Sequence, residues 1–218
     1  MIFLDITQSK KRHFMQKKRS RIQIINQQKV IDAGTEVFAK YGFRGTTIDQ
    51  IADVAGMSKP NMLYYFKTKK EIYLGVLEQT LNKWLESLMD WQVTGTAEET
   101  LTKYIDKKFE FSRDHSAGSH VFANEIMEGA PVLKTLLGED LKKLVGENTR
   151  VIRGWIKEGQ IRPIEPIHLI FMLWAVTQHY ADFSVQIETL TGKTLADKEF
   201  YKQAKKTVTQ IILAGVLK

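Results

Sequence analysis

Between Thr46 and Glu71, hydroxyls, an amide and cations recur at helical spacing: Thr47, Ser58, Lys59, Asn61, Tyr64, Tyr65 and Lys69. Cations, hydroxyls and helix N-termini are the groups that meet phosphate oxygens on nucleic acid. Asn61 adds an amide that could read a base edge, although its reach is short. No rival constellation for catalysis stands elsewhere. The five histidines, His13, His115, His120, His168 and His179, form no zinc-protease spacing. No glycine-rich phosphate loop and no nucleophile elbow is present. His120 with Glu125 and Glu128 fits no familiar ligand pattern and reads as helix polar groups in solvent. The chain is therefore expected to be no enzyme, to have no catalytic residue, and to need neither metal nor cofactor. It has no cysteine, which rules out disulfides and thiolate metal sites and fits a reducing compartment.

The phosphate-binding side chains need elements to hold them. Thr47 followed by Gln50 is a capping box that starts a helix. Ile48, Ile51, Ala52 and Ala55 give that helix a small apolar face, and Gly56 ends it, because glycine tolerates a left-handed turn. Ser58 caps the next helix, with Pro60 in its first turn, where a missing N–H costs nothing. The result is a helix, a tight turn and a short helix that enters a major groove. Phe66 is expected to anchor the second helix to the first. A second capping box, Thr68 to Glu71, opens a long helix through which the rest of the chain could move this head.

Charge and periodicity divide the 218 residues. Residues 1–69 hold 13 Lys and Arg against five Asp and Glu; the remainder hold 19 against 20. A basic head on a neutral body suggests that the head meets a polyanion. Residues 1–21 crowd seven basic side chains without periodicity and read as a mobile arm, either reaching a minor groove or making no specific contact. Apolar residues recur at spacings of three and four nearly everywhere else, as in Ile72, Val76, Leu77, Leu81, Trp84, Leu85 and Leu88. Helices are expected near 98–114, 119–128, 139–158, 166–187 and 197–216. The expected fold is all-α: arm 1–21, a three-helix helix-turn-helix head over 22–69, and a helical ligand-binding and dimerisation body over 70–218. The apolar N-terminus is too short for a signal peptide, and Leu169–Val176 falls short of the ~20 residues that span a bilayer. A cytoplasmic protein without a membrane partner is expected.

The stretch VFAKYGFRGTTIDQIADVAGMSKPNMLYYFKTKKEIY resembles the head of the TetR family. The matching pieces are Gly42-Phe43-x-Gly45-Thr46-Thr47, Ile51-Ala52, Ala55-Gly56, Ser58, Leu63-Tyr64-Tyr65-Phe66, Lys69 and Glu71, over roughly residues 28–75. The resemblance implies a transcriptional repressor on double-stranded DNA, with Thr47, Tyr64, Tyr65 and Lys69 on phosphates. A two-fold homodimer is needed to place two heads on a pseudo-palindromic operator, half-sites ~34 Å apart. The last two long helices look like the dimerisation pair, although the stripe Val208, Ile211, Ile212 and Val216 fits intrachain core equally well.

The body is similar to that of pyrimidine-utilisation regulators in the same family. The segments that carry this are IEPIHLIFMLWAVTQHYADFSVQIETLTG (164–192), FANEIMEGAPVL (122–133) and YLGVLEQTLNKWLESL (73–88). The resemblance implies release from DNA by uracil or thymine; a different small aromatic or hydrophobic effector is the alternative. Residue chemistry permits the base. Trp174 and Gln178, four apart, share a helix face. An indole packs on a flat base, and an amide matches part of its imide edge. Tyr73 and Leu77, also four apart, could line the opposite wall. Phe171 and Phe122 are expected in the core.

Overall fold

A computed structural model describes residues 20–89, 91, 95–135 and 139–218. The expected arm falls almost wholly outside them. Its last residue, Arg21, already belongs to the first helix, α1 (Arg21–Gly45). Ser20 starts that helix as a capping box: its Oγ accepts from the Gln23 amide, and the Gln23 side chain accepts from the Ser20 amide. Near its end α1 bends at Gly42, whose φ of 68° suits only glycine without strain. The helix-turn-helix follows as α2 (Ile48–Ala55) and α3 (Lys59–Tyr65).

The body consists of α4 (Lys69–Met89), α5 (Ala97–Asp114), α6 (Ser116–Met127), α7 (Glu139–Lys157), α8 (Pro166–Asp182), α9 (Ser184–Thr191) and α10 (Lys198–Val216). Among the described residues no strand forms; a lone bridge joins Ile161 to Leu217. The all-α expectation holds. The expected helix over 166–187 is in fact two, because the backbone leaves helical geometry at Phe183 (φ −114°, ψ 29°). Among the described residues no helix is long and apolar enough to cross a membrane.

Two packing features position the functional groups. First, α5 runs through the centre of the body against α4, α8 and α10. Its Leu101, Tyr104, Ile105 and Phe109 are almost wholly removed from water, and burying each such side chain stabilises by about 1.5–3 kcal/mol. Second, α1 crosses α4 closely enough to need glycine on both helices. A Cβ on Gly34 would lie 2.8 Å from Ile72, and one on Gly75 would lie 2.5 Å from Ile31. Head and body therefore meet through α4, and through α1 packed directly on α6, rather than through a loose linker. Phe122 is buried as expected. Phe171 is not: it stands 48% exposed on α8, beside Met172 at 52%. Helical spacing places it on an apolar stripe, but that stripe continues past the side the body covers.

Candidate functional site

The head holds most of its polar groups in place with short-range bonds. Thr47 Oγ1 accepts from the Gln50 amide and the Gln50 side chain accepts from the Thr47 amide, completing the box. Gly56 takes the left-handed conformation, and Ser58 Oγ accepts from the Asn61 amide. Thr47 at the start of α2, and Ser58, Lys59, Asn61 and Tyr64 around the start and outer face of α3, are all exposed, with Met62 buried beneath α3. Lys59 pairs with Asp49 at 2.9 Å, but both side chains are about half or more exposed. Such a pair is worth at most about 1 kcal/mol and yields readily to a phosphate.

Two α1 residues that sequence reasoning missed hold the tyrosines. Gln23 Nε2 donates to the Tyr64 hydroxyl at 3.3 Å, and Asn26 Nδ2 donates to the Tyr65 hydroxyl at 2.9 Å. Each hydroxyl keeps its own proton to donate outward. The signal lay in the Gln23–Asn26 spacing, but it is meaningful only once α1 and α3 are known to touch. Lys69 is placed differently from the rest. Its ammonium donates to the carbonyls of Phe43 and Thr46, both at 2.7 Å, and rests 4.7 Å from the centre of the Phe43 ring. It ties the end of α1 to the start of α4, and one N–H remains for another partner.

That tie is the first link of a chain into the body. Tyr73, one turn further along α4, packs 4.9 Å from the Phe38 ring and 4.8 Å from the Phe43 ring. Its hydroxyl donates to buried Glu125 on α6 at 3.1 Å. Burial, with Glu125 beside it, pushes the Tyr73 hydroxyl well above the usual phenol range. Glu125 also accepts from the backbone amides of Val132 and Leu133. Tyr73 thus faces the head, and its polar atom is already in use. Leu77 is fully buried in the same core.

Deeper in the body the situation reverses. Trp174 on α8 lies 4.6 Å from Trp84 on α4, the rings tilted by 55°. The indole N–H groups of Trp84 and Trp174, the Tyr104 hydroxyl and the Lys108 ammonium are all buried and make no hydrogen bond. Lys108 Nζ sits 4.5 Å from the centre of the Trp84 ring. Tyr104 stands near Trp174 and Ser87 without bonding either; its burial raises the hydroxyl pKa and those two neighbours lower it. Burial drives the Lys108 pKa well below the lysine range, with Asp182 opposing. Gln178 is half-buried one turn beyond Trp174. Stranding a buried polar group costs about 1–3 kcal/mol, and the indole N–H groups of Trp91 and Trp155 are unpartnered in the same way. Trp84, Tyr104 and Lys108 escaped sequence reasoning because residues 84, 104, 108 and 174 meet only after three helices pack.

Among the described residues no three His, Cys, Asp or Glu side chains gather as a metal site. His120 bonds the Asp182 carbonyl oxygen and Glu125 is engaged by Tyr73, so the two do not converge on an ion.

Known proteins place this architecture. Residues 30–76 match the family model described as bacterial regulatory proteins, tetR family, and residues 77–218 match that of the YcdC-like protein, C-terminal region. The HTH-type transcriptional regulator RutR of Escherichia coli (strain K12) is 43% identical over 199 residues, covering 91% of this chain and 94% of that protein. The ketosteroid transcriptional regulator KstR2 of Mycobacterium tuberculosis shares the fold with a TM-score of 0.69 at 19% identity, over 88% of this chain and 95% of that one. AibR, solved in complex with isovaleryl coenzyme A and operator DNA, does so with a TM-score of 0.68 at 13% identity, over 85% and 97%.

Proposed function

This chain belongs to the TetR family of bacterial regulatory proteins, and from that premise we propose that it is a homodimeric repressor which uracil or thymine releases from a pseudo-palindromic operator. It is a transcriptional regulator by family, and its relatives and fold are those of regulators, not enzymes. Such proteins bind operator DNA and small-molecule effectors, usually as dimers. The repressor sense, the base and the residues that read it are our own inference, as is a place in the cytoplasm.

The observation that carries the base is the unpartnered buried set around Trp84 and Trp174. Uracil and thymine each present a flat face, two carbonyl acceptors and ring N–H donors. An indole ring takes the face. Indole and ammonium N–H groups suit the carbonyls, while the Tyr104 hydroxyl and the Gln178 amide oxygen can accept the ring N–H. Leu77 supplies apolar wall from α4, as pockets of this kind require. The 43% identity to RutR over nearly the whole chain supports a shared effector class.

In the head, residues 22–69, Thr47, Ser58, Lys59, Asn61, Tyr64 and Tyr65 meet DNA, with the spare N–H of Lys69 on a phosphate. In the body, residues 70–218, the exposed Phe171, Met172 and Ile211 on α8 and α10 serve the dimer contact, since apolar patches of that kind mark association surfaces. Because α4 carries Lys69, Tyr73, Leu77 and Trp84, a base against Trp84 shifts the helix that holds the head. Head spacing then departs from the half-site spacing, and DNA and base oppose each other by the same factor.

The test is thermal unfolding of the purified protein with uracil, thymine, cytosine and adenine in turn. A ligand at 100 times its dissociation constant adds roughly 2.7 kcal/mol to stability. A rise with uracil or thymine alone supports the base. No shift with any base up to millimolar concentration removes it and leaves a TetR-type regulator with a different small aromatic or hydrophobic effector.

A further inference from the structure

Lys108 is the most unusual charged residue in the body. It is 0% exposed, lies in the middle of α5, and faces rings instead of carboxylates: Trp84 at 4.5 Å and Phe111 at 5.5 Å. Its Nζ has no hydrogen-bond partner. A core position that served packing alone would favour leucine or methionine, which bury the same stem without a stranded donor. The nearest acid felt electrostatically, Asp182, is held elsewhere: its carboxylate accepts from Ser119, and its carbonyl oxygen meets His120. The site also has a way in. A cleft of about 400 Å³ opens between α4 and α5; Trp84, Ser87, Lys108 and Phe111 line it together with the charged side chains of Lys83, Glu86, Glu110 and Asp114. A flat molecule entering there reaches the Lys108 stem and the Trp84 ring.

The donors around the site outnumber the acceptors. The indole N–H groups of Trp84 and Trp174 can only donate, Lys108 donates whether or not its amine carries the extra proton, and the Tyr104 hydroxyl can donate or accept. We propose that Lys108 is the group that reads the effector, donating to a carbonyl oxygen of a planar ring seated at Trp84 and Trp174, so that the body selects acceptor-rich rings over acceptor-poor ones. This rests on the effector site proposed above and adds to it the residue that sets which rings enter. In the ligand-free protein the amine is a strain on stability; bound, it is the strongest donor the ligand meets.

Those two statements have opposite signs in one substitution. Lys108→Met keeps the stem and removes the donor. The unliganded variant is expected to melt roughly 2–4 °C above wild type, as relief of one stranded polar group gives in a chain of this size. Its affinity for uracil, measured by calorimetry, is expected to fall about 10- to 100-fold, the cost of leaving a buried carbonyl of the ligand without a donor. Lys108→Gln, which retains an N–H donor, is expected to recover part of that loss, and it carries the test if the Met variant does not fold. Uracil affinity equal to wild type in Lys108→Met overturns the proposal. So does a lower melting temperature in that variant, which would make Lys108 a structural support. If wild type binds neither uracil nor thymine, the base reading falls, and the same proteins are titrated with orotate, a planar ring carrying a carboxylate. Binding that Lys108→Met abolishes keeps Lys108 as the reading group; no binding of orotate by wild type overturns it as well.

Discussion

The head and the part of the body around Trp84 treat polar groups in opposite ways. In the head, Thr47 bonds within its own turn, Lys59 pairs with Asp49, Tyr64 and Tyr65 are held from α1, and Lys69 lies on two carbonyls. Most of these groups are also exposed, so water covers whatever the protein does not. In the body, Trp84, Tyr104, Lys108 and Trp174 keep polar atoms away from both protein and water. A surface that is already satisfied can meet DNA by exchanging weak pairs for phosphates. An interior that is unsatisfied gains most when a ligand arrives. The head is thus built to dock without rearranging, and the body is built to be more stable occupied than empty.

The contrast can be sharpened first at Glu125, a buried polar group of the body that is fully engaged. Glu125→Ala strands the Tyr73 hydroxyl and the amides of Val132 and Leu133. It is expected to cost about 3–5 kcal/mol in urea unfolding, as for loss of one partner of a buried charged network. A cost below about 1 kcal/mol would show that satisfied and stranded groups do not differ here. The second test is pH. The folded Lys108 binds its proton less tightly than the unfolded chain does, for which the lysine value is about 10.4. The unfolded state therefore holds more protons, and stability from this group rises as pH climbs toward 10 and levels off above it. The difference in stability between wild type and Lys108→Met is expected to narrow over that range; a difference constant with pH would remove the stranded amine. Third, Thr47→Ala loses the α2 cap and about 1 kcal/mol of stability, together with operator affinity. Smallest in stability is Lys59→Met, expected to change unfolding by less than about 0.5 kcal/mol, since its ion pair is exposed. Its effect is on DNA: the slope of log affinity against log salt should fall by about 0.9, one phosphate contact.

These differences also decide what the chain reveals unfolded. The helix-turn-helix was legible because each signal is local: Thr47 and Gln50 are three apart, Gly56 must take a left-handed turn, and Ser58 caps its own helix. The all-α class followed from spacing alone. The break at Phe183 did not, because the apolar pattern continues across it, and Phe171 looked like core because periodicity marks an apolar face without saying what covers it. Trp174 stood out through a resemblance over 164–192, whereas nothing local distinguishes Lys108 from its neighbours in AEETLTKYIDKKFEFSRD. Only the packing of α4, α5 and α8 reveals that it is inside. Tyr73 shows the same limit in reverse. Its spacing with Leu77 is real, but the structure turns its ring to Phe38 and Phe43 and its hydroxyl to Glu125.

The central claim is that base and DNA compete through α4, and calorimetric titration of uracil into the purified protein tests it most directly, with and without a duplex selected from random sequence by the protein itself. The account predicts that saturating DNA weakens uracil binding roughly 5- to 150-fold, a coupling of ~1–3 kcal/mol. Equal uracil affinity with and without the duplex would contradict it.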